Sequence, residues 1–472
     1  MSRLFTRFSS TITIKPTPSK AHLHRPIPAS SFPAGFRLTG IHAGVKKKPG
    51  VLDLGLILST SEHPASAAAC FTRNAFKAAP VVVSDQILAR NGGRARAVVV
   101  NSGCANAVTG MSSTRRITAL LLGLEDAWTM ARETDALLPP STSTAQNHTL
   151  VMSTGVIGQR LPIESIVKGI RSQATPARSL ASDFAAWERA AKAFMTTDTF
   201  PKLRSRVFTI RDTEYRMAGM DKGAGMIHPS MGPATTSFPA LHATLLGCIL
   251  TDAAVSPRSL QSALAYAVER SFNSISVDGE MSTNDTILVL ANGAVASKHG
   301  QVVEIDEETD KEGYEIFKSE LTQFAAELAQ LVVRDGEGAT KFVTVNVKGA
   351  PTYEDAHRIA SRVSTSALVK TALYGEDANW GRVLSATGSV SVPALDPTKV
   401  SVTFLPSDNT ASLLVLENGE PQRVDEVRAK EILSMEDVGI CIDLGDIGTE
   451  TATYWTCDFS YEYVKINGDY RS

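Results

Sequence analysis

Only five cysteines occur in 472 residues, Cys70, Cys104, Cys248, Cys441 and Cys457, and no two form a C-x-x-C pair. That spacing excludes a disulfide scaffold and argues against a cysteine-built zinc site. No run approaches the ~18 uninterrupted apolar residues of a membrane-spanning helix. Lys and Arg total 47 against 49 Asp and Glu, a formal net charge of −2. So even a balance supplies no general attraction to nucleic acid or anionic lipid, and neither is an expected partner. Familiar catalytic signatures are missing too: the chain has no G-x-S-x-G elbow, no H-E-x-x-H and no P-loop lysine. Its nine histidines are dispersed, with His22, His24, His42 and His63 near the N-terminus. Ser-His-Asp hydrolysis and His-ligated metal catalysis therefore lack a framework, and no metal or organic cofactor is expected.

One further absence is local. Residues 1–52 hold nine Lys and Arg, including Lys46, Lys47 and Lys48, and no acidic residue before Asp53. An Arg- and Ser-rich, acid-free leader without a long apolar stretch is the pattern of a mitochondrial transit peptide. Residues 1–40 are therefore expected to be a transit peptide and disordered leader, with the protein in the mitochondrial matrix.

What is present is a mixture of short apolar runs and glycine-marked turns. Val51–Leu58, Ala97–Val100 and Leu150–Met152 read as strands, and Val207–Ile210 with Tyr215–Ala218 as a hairpin. Ala243–Leu250 is apolar almost throughout, so it should be a strand buried on both faces. Ser256-Pro257 opens a helix by its capping chemistry, and Tyr314 to Leu331 forms an amphipathic stripe. Thr352 should start a helix running through Leu368, and Ala452–Val464 is expected to be a strand. Gly232–His242, with its prolines and threonines, reads as a loop. Strands and helices mix without a regular βαβ repeat, which predicts a layered α+β fold.

Chemistry-bearing residues gather at the turns. The segments are NSGCANA (Asn101–Ala107), STGVIG (Ser153–Gly158), MTTDTFPK (Met195–Lys202), DKGAGMIHPSM (Asp221–Met231), ATLLG (Ala243–Gly247), RDGEGATK (Arg334–Lys341) and KINGDYRS (Lys465–Ser472). Each alone is a common kind of connector. Their combination in this order, with FTRNAFKAAPV from Phe71 and YGEDANWGR at Tyr374–Arg382, resembles the ArgJ family of ornithine acetyltransferases in its mitochondrial fungal form. The resemblance covers some 400 residues, everything but the leader.

The resemblance implies an α+β sandwich of N-terminal-nucleophile type, made as one precursor that cuts itself at an Ala-Thr bond. In this sequence that bond is Ala243–Thr244, giving chains of residues 41–243 and 244–472. Thr244 would then be the nucleophile that carries acetyl from N-acetylornithine to glutamate. A threonine hydroxyl needs an adjacent base, and cutting creates one, an α-amine with a reference pKa of ~8. By the same resemblance Thr154 and Gly155 form the oxyanion hole. Thr196 (with Thr197 beside it), Lys222, Thr244, Glu337, Asn467 and Ser472 bind substrate. Acetyl-CoA is a possible second donor, and the assembly implied is a heterotetramer of two alpha chains (41–243) and two beta chains (244–472).

One departure from the family pattern stands out: GPATTSFPALH intervenes between HPSM and Ala243-Thr244, and it holds a second Ala-Thr pair at Ala234-Thr235. Two other readings stay open here. One is an amidase or aminopeptidase of similar architecture, in which water replaces the acceptor amine; the other is an uncleaved, non-catalytic mitochondrial protein.

Overall fold

Among the described residues the chain builds three mixed sheets. The computed structural model describes residues 16–61, 64–75, 77–107, 116–139, 147–175, 178–233, 245–282, 284–295 and 303–468. The first sheet runs in the order Phe36–Ile41, Leu54–Ser59, Ala97–Cys104, Thr149–Val156. Its last two strands are parallel and in register from Ala97 opposite Thr149 to Gly103 opposite Gly155. The turns NSGC and STG therefore leave the sheet side by side. Helix Phe184–Phe194 lies against the first two strands, where Gly40 and Gly55 are paired. A Cβ at Gly40 would fall 2.0 Å from the Arg189 carbonyl oxygen, so the helix can dock only on glycine.

The second sheet runs Arg94–Ala95, Ala65–Thr72, Thr286–Ala291, Leu246–Thr251, Thr213–Lys222, Lys202–Ile210, with Met231–Pro233 paired beside Ala65–Thr72. Leu246–Thr251 is central, parallel to Thr286–Ala291 and antiparallel to Thr213–Lys222. All six of its residues are buried, as the unbroken apolar run requires. Leu246, Cys248 and Leu250 join the core shared with the first sheet. Ile249 faces the opposite core, built with helices Pro257–Glu269 and Lys311–Arg334. Alternation along one strand thus couples two layers of core, and the layered α+β architecture follows from it.

A third sheet, from Ile275–Ser276 through Glu450–Cys457, Phe342–Ala350, Asp437–Asp443, Ser401–Pro406 and Leu413–Glu417 to Glu420–Pro421, has a core of its own. Helix Tyr353–Ser364 packs on its Phe342–Ala350 and Glu450–Cys457 strands.

Several expectations need correction. The segment from Thr352 to Leu368 is two helices, because Ser366 caps a second one, Ala367–Tyr374, by accepting from the Val369 N–H. The strand expected over Ala452–Val464 ends at Cys457, and Tyr461–Gly468 is helical. Asp458 turns the chain there by accepting from the Thr340 and Lys341 N–H groups. Ser460 then accepts from the Tyr463 N–H and starts the helix. The expected leader is also too long. Leu23 and Phe32 are buried, and Phe36–Ile41 is a strand of the first sheet, so a boundary at residue 40 would cut through it. Basic composition describes the charge of that stretch but not the apolar positions between the charges. Gly232 and Pro233, expected in a loop, lie in the Met231–Pro233 strand. Residues 234–244, with the expected cut at Ala243–Thr244, lie outside the described residues.

Candidate active site

Lys222 ends its strand, and its ammonium reaches from the second sheet to the first, donating to Thr154 Oγ1 at 3.2 Å. Both side chains are buried. Burial lowers the Lys222 pKa, against the opposing pull of Asp198. Beside Thr154, Gly155 has φ +124°, and a Cβ there would lie 2.4 Å from the Gly103 carbonyl carbon. Two parallel backbones pass at a distance that no side chain permits, in a conformation that favours glycine.

A buried set of amides and hydroxyls holds this turn. Asn101 donates to the Cys104 carbonyl at 2.7 Å, and Ser153 Oγ donates to Asn101 Oδ1 at 2.6 Å. The Asn284 amide donates to the carbonyls of Ser153 at 2.5 Å and Ala105 at 3.1 Å. Each member therefore holds its neighbour's orientation.

Gly155, Thr196 and Thr197 line one cavity of about 370 Å³. The Thr196 N–H donates to Asp198 Oδ2 at 2.8 Å, and the other oxygen of Asp198 accepts from the Gly223 N–H at 2.8 Å. Lys202 Nζ donates to Asp198 Oδ1 at 2.5 Å and to Asp335 Oδ2 at 2.6 Å. Asp335 in turn accepts from the Thr199 N–H at 2.9 Å. This buried cluster ties together the segments that carry Thr196, Lys222 and Glu337. Burial opposes charge on Asp198, but Lys202 and Lys222 outweigh it and hold the carboxyl below the usual range. Lys202 is likewise held above its ordinary value against burial, by Asp198 and Asp335. Asp221 behaves oppositely. Neither of its buried oxygens has a hydrogen-bond partner among the described residues, and burial pushes its pKa well up.

Glu337, two residues beyond Asp335, donates its N–H to the Ala224 carbonyl at 2.8 Å. Its Oε2 accepts from Asn467 Nδ2 at 2.9 Å. A Cβ at Gly225 would lie 2.4 Å from that same oxygen, so the glycine between DK and M makes room for the carboxylate. The charge on Glu337 supports that on Lys222. Leu246 is the register partner of Lys222, and the Leu245 N–H donates to Asp285 Oδ1 at 2.9 Å. Burial pushes the Asp285 carboxyl up to about 7.

The structure thus brings Thr154, Gly155, Thr196 and Lys222 together, with the Glu337–Asn467 pair electrostatically coupled to Lys222. Ala243, Thr244 and Ser472 lie outside the described residues. Sequence reading passed over Asp198, Lys202, Asp335, Asn284 and Asp285. Asp198 and Lys202 stand four apart inside a segment already singled out, and Asp335 lies inside another, RDGEGATK, which were the available signals. A larger cavity of about 790 Å³, lined in part by Arg94, Asn292, Glu304 and Asp306, contains none of the expected site residues that are among the described ones.

Comparison with known proteins places the chain in a family. The sequence model described as the ArgJ family matches residues 37–472. The mitochondrial arginine biosynthesis bifunctional protein ArgJ of Coprinopsis cinerea is 70% identical over 99% of this chain and 99% of its own length. Its counterpart in Laccaria bicolor is 70% identical over 100% of both. A crystal structure of the arginine biosynthesis bifunctional protein ArgJ of Bacillus halodurans is 34% identical and covers 46% of this chain and 96% of that one, with a TM-score of 0.41. The fold described above therefore rests on this chain's own topology. On the extent of the family match and the identity to its mitochondrial members, this chain belongs to the ArgJ family.

Proposed function

We propose that this chain is a self-processing acetyltransferase of arginine biosynthesis that moves acetyl from N-acetylornithine to glutamate through an ester on Thr244. The observation that carries the reading is the contact between Lys222 and Thr154 at the point where the strand following residue 244 begins. Cutting at Ala243–Thr244 frees an α-amine, which takes the hydroxyl proton as Thr244 attacks the acetyl carbonyl. Thr154 and Gly155 then hold the oxygen that becomes negative. With Lys222 donating to its oxygen, the Thr154 hydroxyl is polarised as a donor. Ornithine leaves, and the amine of glutamate takes the acetyl group in a second displacement. Thr196, Lys222, Glu337, Asn467 and Ser472 hold the charged ends of the two amino acids. The reaction needs neither metal nor organic cofactor.

The names of the 70% identical relatives, bifunctional and mitochondrial, support a location in mitochondria and a second activity. The second activity we assign is formation of N-acetylglutamate from acetyl-CoA and glutamate. The mature protein consists of a chain ending at Ala243 and a chain of 229 residues (472 − 243) starting at Thr244. They stay associated because Leu246, Ile249 and Leu250 are fully buried, each worth ~1.5–3 kcal/mol on exposure. Two such pairs form a heterotetramer.

The test is to mix N-acetylornithine with labelled glutamate. Labelled N-acetylglutamate should form faster than free acetate is released. Acetate as the main product would replace the transferase by an amidase. In the same assay Thr154→Ala, normalised to cleaved protein, should lower kcat by about 10²-fold while KM stays nearly unchanged, because the lost donor acts on the transition state. Wild-type kcat in that variant would make the turn a connector only.

A further inference from the structure

The loop between Phe36–Ile41 and Leu54–Ser59 carries three consecutive lysines, and all three line the 370 Å³ cavity together with Gly155, Thr196 and Thr197. The loop is anchored from below. The buried Asp53 carboxylate accepts from the Ala43 N–H at 2.5 Å and the Lys46 N–H at 2.9 Å. Lys46 is the inner lysine: its Nζ donates to the carbonyls of Leu52 and Met195, at 2.7 Å each. Met195 adjoins Thr196, so Lys46 links the loop to the cavity wall. Its stem lies over Gly103, where a Cβ would be 3.0 Å from Lys46 Cγ. Burial, countered in part by Asp53, brings the Lys46 amine to about 8. Lys47 and Lys48 are exposed residues of the cavity lining. No acidic residue lines it among the described residues.

An acetylated amino acid does not require Lys47 and Lys48. Its carboxylate lies only three bonds from the acetyl carbon, within reach of the buried Lys222 beside Thr154. Exposed cations suit a donor whose negative charges are many bonds away from its acyl carbon. We propose that Lys47 and Lys48 dock the phosphate groups of acetyl-CoA, whose acetyl end reaches Gly155 along the cavity. The inference rests on the acyl-transfer reading above and adds a binding site for its second donor. In that reaction the thioester C–S bond breaks as the C–O bond to Thr244 forms, and the hydroxyl proton passes through the α-amine to the departing thiolate. Glutamate's amine then displaces the Thr244 oxygen, forming C–N and returning a proton to that oxygen.

The experiment compares the cleaved wild-type enzyme with Lys47→Glu/Lys48→Glu and Lys47→Arg/Lys48→Arg in two reactions, acetyl-CoA plus glutamate and N-acetylornithine plus glutamate. The Glu pair should raise KM for acetyl-CoA about tenfold at low salt, with a smaller effect at high salt where exposed charges are screened. Its N-acetylornithine reaction should stay at the wild-type rate, and the Arg pair should retain both reactions. Adenosine 3′,5′-bisphosphate should inhibit the acetyl-CoA reaction of the wild type and fail to inhibit that of the Glu pair. Equal losses in both reactions, or an unchanged KM for acetyl-CoA, would overturn the site. So would a wild type active with N-acetylornithine but unable to use acetyl-CoA. Inactivity of the wild type with N-acetylornithine as well would overturn the acyl-transfer reading itself, and the site with it.

Discussion

Thr244→Ala is expected to leave a single uncut chain with transfer activity at background. Both steps need the same hydroxyl: it attacks the Ala243 carbonyl during processing and the acetyl carbonyl during transfer. Loss of the nucleophile removes both at once, and no second base can substitute, because the α-amine is never released. Thr244→Ser keeps the hydroxyl and should still cut and transfer, which separates lost chemistry from lost folding. Thr235→Ala should cut normally. A denaturing gel and intact mass read processing, and labelled glutamate reads transfer. If the mature C-terminal chain begins at Thr235 or Thr236, the assignment moves to the other Ala-Thr pair and the residues up to Ala243 join that chain. If Thr244→Ala still cuts, Thr244 is not the processing nucleophile.

Lys202→Met should destabilise the protein by about 3–5 kcal/mol, the scale for stranding buried charge. In the parent, Lys202 serves Asp198 and Asp335 together, with Asp221 close enough to add to its charge. The pH dependence checks the cause. Asp198 has a folded pKa below its unfolded value, so its stabilisation is present above ~4 and lost as pH falls through the folded value. Lys202 has a raised pKa, so its share is present below its ordinary value of ~10.5 and lost as pH rises through the folded value. Parent stability owed to the pair is therefore flat across neutral pH. In Lys202→Met the buried carboxyls must take up protons to remain inside, so the variant should gain stability as pH falls from neutral. Urea unfolding between pH 5 and 8 measures this. A midpoint equal to the parent's, or a loss independent of pH, would mean that the cluster holds nothing together electrostatically. A folded variant should also bind substrate poorly, since Thr196 and Gly223 share the Asp198 carboxylate.

Much of the site could be read before any fold was known, because its elements are local. Gly155 follows Thr154 on a strand whose apolar run precedes it, and Lys222 ends a strand that continues four residues beyond the hairpin expected at Tyr215–Ala218. Leu246–Thr251 is a buried strand because no polar residue interrupts it before Thr251. Ser256-Pro257 and Thr352 start helices by the chemistry of one or two residues. Where local composition was ambiguous, the reading failed. The aromatic, β-branched tail from Ala452 suits a strand, yet the side chains of Asp458 and Ser460 redirect it into a helix that carries Asn467. The lysines at 46–48 counted only toward the basic, acid-free stretch 1–52, since net charge says nothing about the cavity they line.

The alternation of buried strands and capped helices and the glycine turns follow from period, capping and residue type over spans of a few residues. The family, and with it the nucleophile candidate, came instead from the resemblance of several segments in order. Which charges are buried together is settled by how the sheets close on one another. Asp198 and Asp335 share one lysine across 133 to 137 positions of chain, and Lys222 meets Thr154 across 68. Such pairings depend on strand register, which sends alternate residues to opposite faces, and on which sheet closes over which. A carboxylate that composition assigns to solvent becomes, once that closure is made, the anchor for Thr196 and for the backbone beside Lys222.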